Sequence, residues 1–182
     1  FQEGTLNLLQ KNDRNIILKS RQLGISTLSA GISLWMMVFQ KDKSILVVAT
    51  KQDTAKNLVT KVKFMYDNLP SWLQIGFTEN NKLALRLKNG SQVKAVSAAS
   101  DAGRSEAISL LIIDEAAFIE ENRIEEIWGS SQQTLSTGGR AIVLSTPNGT
   151  GNFFHRMWVK AEEGTNGFTP IRLPWTVHPE RD

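Results

Sequence analysis

Three clusters of polar residues in this 182-residue chain have types and spacing that suit chemistry. The first is Lys19-Ser20-Arg21-Gln22-Leu23-Gly24-Ile25-Ser26-Thr27, which follows the apolar run Asn15–Leu18 and opens a helical pattern. A strand, a glycine-bearing loop and a helix start, in that order, turn backbone N–H groups and the positive end of a helix dipole toward an anion. Set against the phosphate-loop pattern G-x-x-x-x-G-K-[ST], Gly24 and Ser26 are in register, but Lys19 stands where the first glycine belongs and Ile25 where the lysine belongs. Ser26 still offers a hydroxyl to a magnesium ion. Lys19, at the other end of the loop, can fold back over the phosphates that the missing lysine would neutralise. The same residues also suit an ordinary strand–loop–helix connection, so alone they leave phosphate binding open.

The second cluster closes the run Leu110-Leu111-Ile112-Ile113 with Asp114-Glu115. Two carboxylates at the end of a buried strand are costly unless they meet a cation. Alternation along a strand would send their side chains to opposite sides and so to different jobs. Asp114 would hold magnesium directly or through water; Glu115 would orient and deprotonate an attacking water. A solvated strand end with a helix-capping aspartate is the plainer reading. The third cluster, Ser145-Thr146-Pro147-Asn148-Gly149, follows another apolar run. It suits a sensor of the γ-phosphate and equally a simple Pro-Asn-Gly turn.

The elements that must position these clusters can be read from periodicity. Helices are expected over Phe1 to Asn12, from Ser26 or Thr27 onward with Leu28, Ile32, Trp35, Met36 and Phe39 on one side, and over a stretch with Leu58, Val62, Met65 and Leu69 at turn spacing that ends before Pro70. Further helices are expected over Glu121–Leu135 and Phe153–Ala161, and strands over Asn15–Leu18, Ser44–Ala49, Leu110–Ile113, Ala141–Leu144 and Thr169–Leu173. Leu83–Leu87 and Val93–Val96 flank Lys88-Asn89-Gly90, the strongest hairpin signal in the chain. Strands alternating with helices imply an α/β fold, its sheet mostly parallel and covered on both faces. Ligands of such sheets sit beyond the carboxyl ends of the strands, where all three clusters fall.

Composition narrows the chemistry further. The length suits one domain of ordinary size. With no cysteine, disulfides, a thiolate nucleophile and Cys-ligated metals are excluded. Two histidines, His155 and His178, argue against a His-rich metal site. No apolar run nears the roughly 20 residues of a membrane helix. The formal charge of +3 is compatible with polyanion contact without arguing for it. Lys61, Lys63, Arg156 and Lys160 could touch phosphates, although solvated faces suit them better. Glu120-Glu121 and Glu125-Glu126 read as a solvated helix face.

Taken in order, Ser20-Arg21-Gln22-Leu23-Gly24, Ile112-Ile113-Asp114-Glu115-Ala116-Ala117-Phe118-Ile119 and Ser145-Thr146-Pro147-Asn148-Gly149 resemble the ATPase domain of tailed-phage large terminase subunits. The likeness spans nearly the whole chain, including Phe1-Gln2 and Asn89-Gly90-Ser91. It implies a RecA-like P-loop NTPase of the ASCE group over residues 1–182, without the RNase-H-like nuclease domain that follows in family members. By resemblance, Gln2 contacts adenine; Lys19, Ser20, Arg21, Gln22, Gly24, Ile25, Ser26 and Thr27 form the nucleotide site; Ser26 and Asp114 hold Mg2+. Glu115 is the catalytic glutamate, with Lys19 and Arg21 offsetting phosphate charge, and Ser145 and Thr146 couple hydrolysis to movement. Arg104 matches an arginine proposed to reach a neighbouring subunit's ATP, although Ser105 follows it where relatives often have glycine. Ile25 departs from the usual lysine; some terminases carry the lysine at the first loop position, as Lys19 would.

The resemblance further implies ATP as substrate, and double-stranded viral DNA, the portal protein, the small terminase subunit and a homo-oligomeric ring as partners. It places the chain in the host cytoplasm, transiently at the procapsid portal, with no membrane contact. A helicase-like translocase, or a nucleotide-binding assembly module left feeble by Ile25, is the alternative.

Overall fold

The computed structural model describes residues 1–99, 107–135 and 138–178. Its elements run α1 (Gln2–Lys11), β1 (Arg14–Lys19), α2 (Ile25–Phe39), β2 (Ser44–Ala49), α3 (Gln52–Asp67), β3 (Phe77–Asn80), β4 (Ala84–Leu87) and β5 (Gln92–Ser97). They continue with β6 (Leu110–Asp114), α4 (Glu121–Leu135), β7 (Arg140–Ser145), α5 (Phe153–Glu162) and β8 (Thr169–Leu173), interspersed with short 3₁₀ turns. The strands form one sheet in the order β3-β4-β5-β2-β6-β7-β1-β8. From β5 to β8 every pairing is parallel, and β3 and β4 extend the β5 edge antiparallel.

The strand sequences explain this arrangement. Ile-Ile in β1, Ile-Leu-Val-Val in β2 and Leu-Leu-Ile-Ile in β6 are apolar on both faces, as strands covered by helices on both sides must be. Successive residues supply two separate cores. Ile17, Ile45, Val47, Ile112 and Leu144 pack with α2 and α3. Ile16, Leu46, Val48, Leu111, Ile113 and Val143 pack on the other face with Trp128, Phe154 and Trp158 of α4 and α5. The chain crosses the sheet one way from β1 to β2 and the other way from β6 through β7 to β8. Right-handed crossovers therefore put the two helix groups on opposite faces.

The Asn-Gly hairpin forms as expected, with Leu85 opposite Val93. Its tip also does something that periodicity does not reveal. Asn89 Nδ2 donates to the carbonyls of Met37 (2.8 Å) and Gln40 (3.1 Å), and Ser91 Oγ donates to Gln40 O (2.9 Å). The turn thus caps the C-terminus of α2, whose last carbonyls would otherwise lack partners.

Two sequence expectations are corrected. The apolar stripe assigned to α2 is only partly buried: Ile32 and Met36 are inside, while Trp35 and Phe39 stand exposed against each other with ring centroids 6.4 Å apart. The helix turns Ile25, Ser29, Ala30, Ser33 and Met37 inward instead, because small residues let it approach the sheet closely. Strand β3 is absent from the elements that periodicity supplies: its Phe-Thr-Glu-Asn sequence lies on an open edge and is mostly exposed, so it carries little apolar signal.

Candidate nucleotide-hydrolysis site

The parallel register brings the three polar clusters together. Asp114 lies level with Leu144 across β6 and β7, and Ser145 lies level with Leu18 across β7 and β1. The carboxyl ends of β1, β6 and β7 are therefore neighbours, and each cluster begins where its strand stops.

At the end of β1 the loop turns tightly. Gln22 adopts φ 59° and Gly24 φ 74°, a conformation that favours glycine. Gly24 caps α2 without a side-chain hydrogen bond, leaving the first-turn N–H groups to an external anion. Ser20 N–H donates to Leu173 O at 2.9 Å, fixing the loop to β8. Arg21, Gln22 and Thr27 are exposed at its rim. Gln2 reaches the loop from α1: its Nε2 donates to Leu23 O at 3.3 Å, and a β-carbon at position 24 would lie 2.8 Å from that nitrogen. Gly24 is thus required both by its backbone and by Gln2.

Ile25 is 1% exposed and packs in the α2–α3 core. Of its atoms, only the main chain can face a phosphate. The cation that the loop turns inward is instead Lys19, whose side chain is almost wholly buried.

Asp114 and Glu115 do not diverge as alternation along a strand would require. Strand β6 ends at Asp114, and Glu115 takes φ 54° and ψ 43°. This left-handed kink turns both carboxylates toward the loop. Ser26 Oγ donates to Asp114 Oδ2 at 3.1 Å, and Lys19 Nζ donates to Glu115 Oε1 at 2.9 Å. Thr146 Oγ1 donates to Glu115 Oε2 at 3.1 Å, with the Thr146 N–H at 3.4 Å. Glu115 is thus held between a cation from β1 and a hydroxyl from the end of β7. Non-glycine residues seldom occupy this backbone region, and such strain concentrates at functional sites.

The two carboxylates differ electrostatically. Burial pushes the Asp114 pKa above the ordinary aspartate value; the nearby Lys19 charge and the Ser26 hydrogen bond only partly oppose it. Burial also acts upward on Glu115, but the hydrogen bond and charge of Lys19 and the Thr146 bonds outweigh it, so its pKa is lowered. Glu115 is therefore favoured in its ionised form, whereas an ionised Asp114 would be short of positive charge.

That shortage fits a divalent cation. Ser26 and Asp114 offer two oxygens of the kind Mg2+ prefers. Among the described residues no group of three or more His, Cys, Asp or Glu could hold a metal unaided. The donor set suits an ion that arrives with phosphates and keeps some of its water.

Ser145 and Thr146 play unequal parts. Ser145 is fully buried and accepts the Ala117 N–H at 3.1 Å, bracing the turn after Glu115. Asn148 reads in sequence only as a turn residue, yet its Nδ2 donates to Ala117 O at 2.9 Å. The Ser-Thr-Pro-Asn block thus grips the Glu115 turn at three points, a link that only the tertiary fold reveals. Arg104 lies outside the described residues.

Residues 16–178 match the family model described as terminase large subunit, T4likevirus-type, N-terminal. The chain belongs to the terminase large-subunit family. Solved structures agree on the fold. The large terminase ATPase domain of Thermus phage P74-26 matches with a TM-score of 0.73 at 21% identity, over 97% of this chain and 82% of that one. The HK97 bacteriophage large terminase matches with 0.78 at 17% identity, over all of this chain and 40% of that one. The large terminase of a thermophilic bacteriophage, solved in complex with ATP-γ-S, matches with 0.69 at 14% identity, over 95% of this chain and 43% of that one. A DEAD-box protein of Methanococcus jannaschii matches with 0.57 at 12% identity, consistent with a RecA-like core. This terminase-family chain spans about two fifths of the HK97 and thermophilic-phage chains. No helix among its described residues is long and apolar enough to cross a membrane.

Proposed function

We propose that this chain hydrolyses ATP and that hydrolysis drives double-stranded viral DNA into a procapsid, as part of a ring of like subunits at a portal. The observation that carries the reading is the convergence of Ser26–Asp114 and Lys19–Glu115–Thr146 on the uncapped N-terminus of α2.

In this reading the first turn of α2 binds the phosphates through its N–H groups. Gln2, already against the loop, reads adenine. Ser26 and Asp114 hold Mg2+, which when bound offsets phosphate charge. Lys19 and Arg21 supply further positive charge. Glu115 aligns a water in line with the γ-phosphate and accepts its proton; its lowered pKa keeps it ionised to orient that water, at some expense of basicity. Thr146 holds the second Glu115 oxygen and so links the base to the β7 end, a route from hydrolysis to movement. Arg104 completes the site of a neighbouring subunit. Residues 1–182 act as the motor domain, and the small terminase subunit delivers the DNA. The work is done in the host cytoplasm, transiently at the portal.

The test is phosphate release from Mg-ATP by wild type beside Lys19→Ala and Glu115→Gln. Turnover should fall at least about 100-fold in each, as expected for loss of a charge-stabilising or proton-accepting group. Glu115→Gln should still bind nucleotide. Undiminished hydrolysis in Lys19→Ala would remove Lys19 from the mechanism. No hydrolysis by wild type at any concentration, with nucleotide bound, would favour the feeble assembly module that Ile25 suggests.

A further inference from the structure

Charge is unevenly distributed in this chain. Residues 41–94 carry ten Lys or Arg against four Asp or Glu; the remaining residues carry eleven against fourteen. The topology gathers the basic stretch, since it comprises β2, α3 and the β3–β4–β5 extension at one edge of the sheet. There a groove of about 380 Å³ runs between α3 and the β3–β4 turn. Lys56, Val59, Thr60 and Lys63 form its helix wall at i, i+3, i+4 and i+7, so all four share one face. Asn81 and Lys82 form the wall opposite.

No carboxylate is among the described residues that line this groove. Lys63 is anchored by Asp67 and by the Phe77 ring, 5.2 Å from its ammonium. Lys56 lies 3.9 Å from an Asp53 carboxylate that is 93% exposed, a contact of little worth in water. Lys56 and Lys82 line opposite walls, and the carboxylates of Asp53 and Glu79 stand beside the groove rather than in it, Glu79 accepting from the Asn81 side chain at 2.8 Å.

We infer that this groove is where the chain engages the phosphate backbone of double-stranded DNA. The identity of the polyanion rests on the packaging reading above; the location rests on the groove. Lysine ammoniums bind phosphates as point charges without regard to base sequence, which suits a duplex that must slide. A second copy of this chain fits less well. The acidic face of α4 on such a copy already meets its own arginines, Glu121 and Glu125 with Arg156 and Glu126 with Arg123, which leaves exposed acids such as Glu162 and Glu163 to be tested. None of the groove residues belongs to the nucleotide site, so the two can be separated by mutation.

The experiment is fluorescence anisotropy of a labelled 30-base-pair duplex titrated with this chain over a salt series. Wild type is compared with Lys56→Gln/Lys82→Gln, with Lys82→Glu and with Lys160→Gln outside the groove. Each lost phosphate contact should lower the slope of log affinity against log salt by about 0.9, so the double variant should lose nearly two units and bind at least about tenfold more weakly. Lys82→Glu should weaken binding with an unchanged melting curve, Lys160→Gln should match wild type, and DNA-free ATP turnover should be unaltered in all of them. Wild-type affinity and slope in the groove variants would overturn the inference, as would failure of wild type to bind the duplex. Unchanged DNA binding with altered sedimentation would assign the face to a second copy instead. Absence of ATP turnover by wild type would count against the proposed function, whatever the DNA result.

Discussion

Asp114 and Glu115 are adjacent, yet their ionisation acts on stability with opposite sign. Burial raises the Asp114 pKa in the folded chain, so the unfolded chain ionises first as pH rises. Above that range folding pays to keep a buried charge; below both pKa values the cost is absent. Glu115 is the reverse. Its folded pKa is lowered, so its pairing with Lys19 stabilises above the unfolded value and is lost as pH falls through the folded one. Asp114→Asn should therefore raise the Tm of the nucleotide-free chain at pH 7. The gain should vanish below about pH 4, where the carboxylate is protonated in both states. The same variant should lose Mg-dependent nucleotide affinity at least about tenfold. Thermal melts at the two pH values and nucleotide titrations with and without Mg2+ check this; a Tm lowered at pH 7 would mean that Asp114 is held by favourable contacts rather than strained by burial. The residue types of this site were legible in sequence, but its geometry was not. Lys19 and Glu115 lie 96 positions apart, and their pairing depends on a left-handed kink at Glu115 that no local pattern announces.

Among the elements, α2 is held at both ends by segments distant in sequence. Its N-terminus opens at Gly24 beside Gln2, and its C-terminus is closed by Asn89 and Ser91 of the β4–β5 hairpin. Removing the Asn89 amide strands the Met37 carbonyl, while the Gln40 carbonyl keeps Ser91 Oγ. Asn89→Ala should cost about 1–2 kcal/mol, a fall in Tm of about 2–8 °C for a domain of this size. Nucleotide affinity should change little, because the lesion lies at the far end of the helix. Differential scanning calorimetry beside a nucleotide titration checks both; an unchanged Tm would show that water replaces the cap without loss. Elements that are apolar on both faces, such as β1, β2 and β6, were legible to within a residue or two. The errors fell where one face meets water. Trp35 and Phe39 look like core residues but are exposed, because Ser29 and Ser33 take the buried face of the helix. Likewise β3 pairs on only one side and has no apolar run to betray it.

At the scale of the whole molecule, the proposed function requires that one subunit complete another's site. In that proposal the described residues supply a base at Glu115, a cation at Lys19 and an ion site at Ser26 and Asp114. The resemblance assigns the remaining charge to Arg104 of a neighbour. An arginine acting between subunits makes a prediction that no single variant can imitate. Arg104→Ala keeps its own base but lacks the finger; Glu115→Gln keeps the finger but lacks the base. Alone, Arg104→Ala should turn over ATP at least about 10³-fold more slowly than assembled wild type, the lower bound expected for such an arginine, and Glu115→Gln at least about 100-fold more slowly. Mixed in equal amounts, some interfaces should pair an intact Glu115 with an intact Arg104, and turnover should recover to a sizeable fraction of wild type. Recovery should grow with total protein concentration, since it depends on assembly, and disappear on dilution. Phosphate release from the two variants alone and mixed, across a concentration series with sedimentation recorded in parallel, measures this. Assembly without recovery would place Arg104 in its own subunit's site. Recovery would mean that an isolated subunit, even with every described site residue in place, should be a slow enzyme.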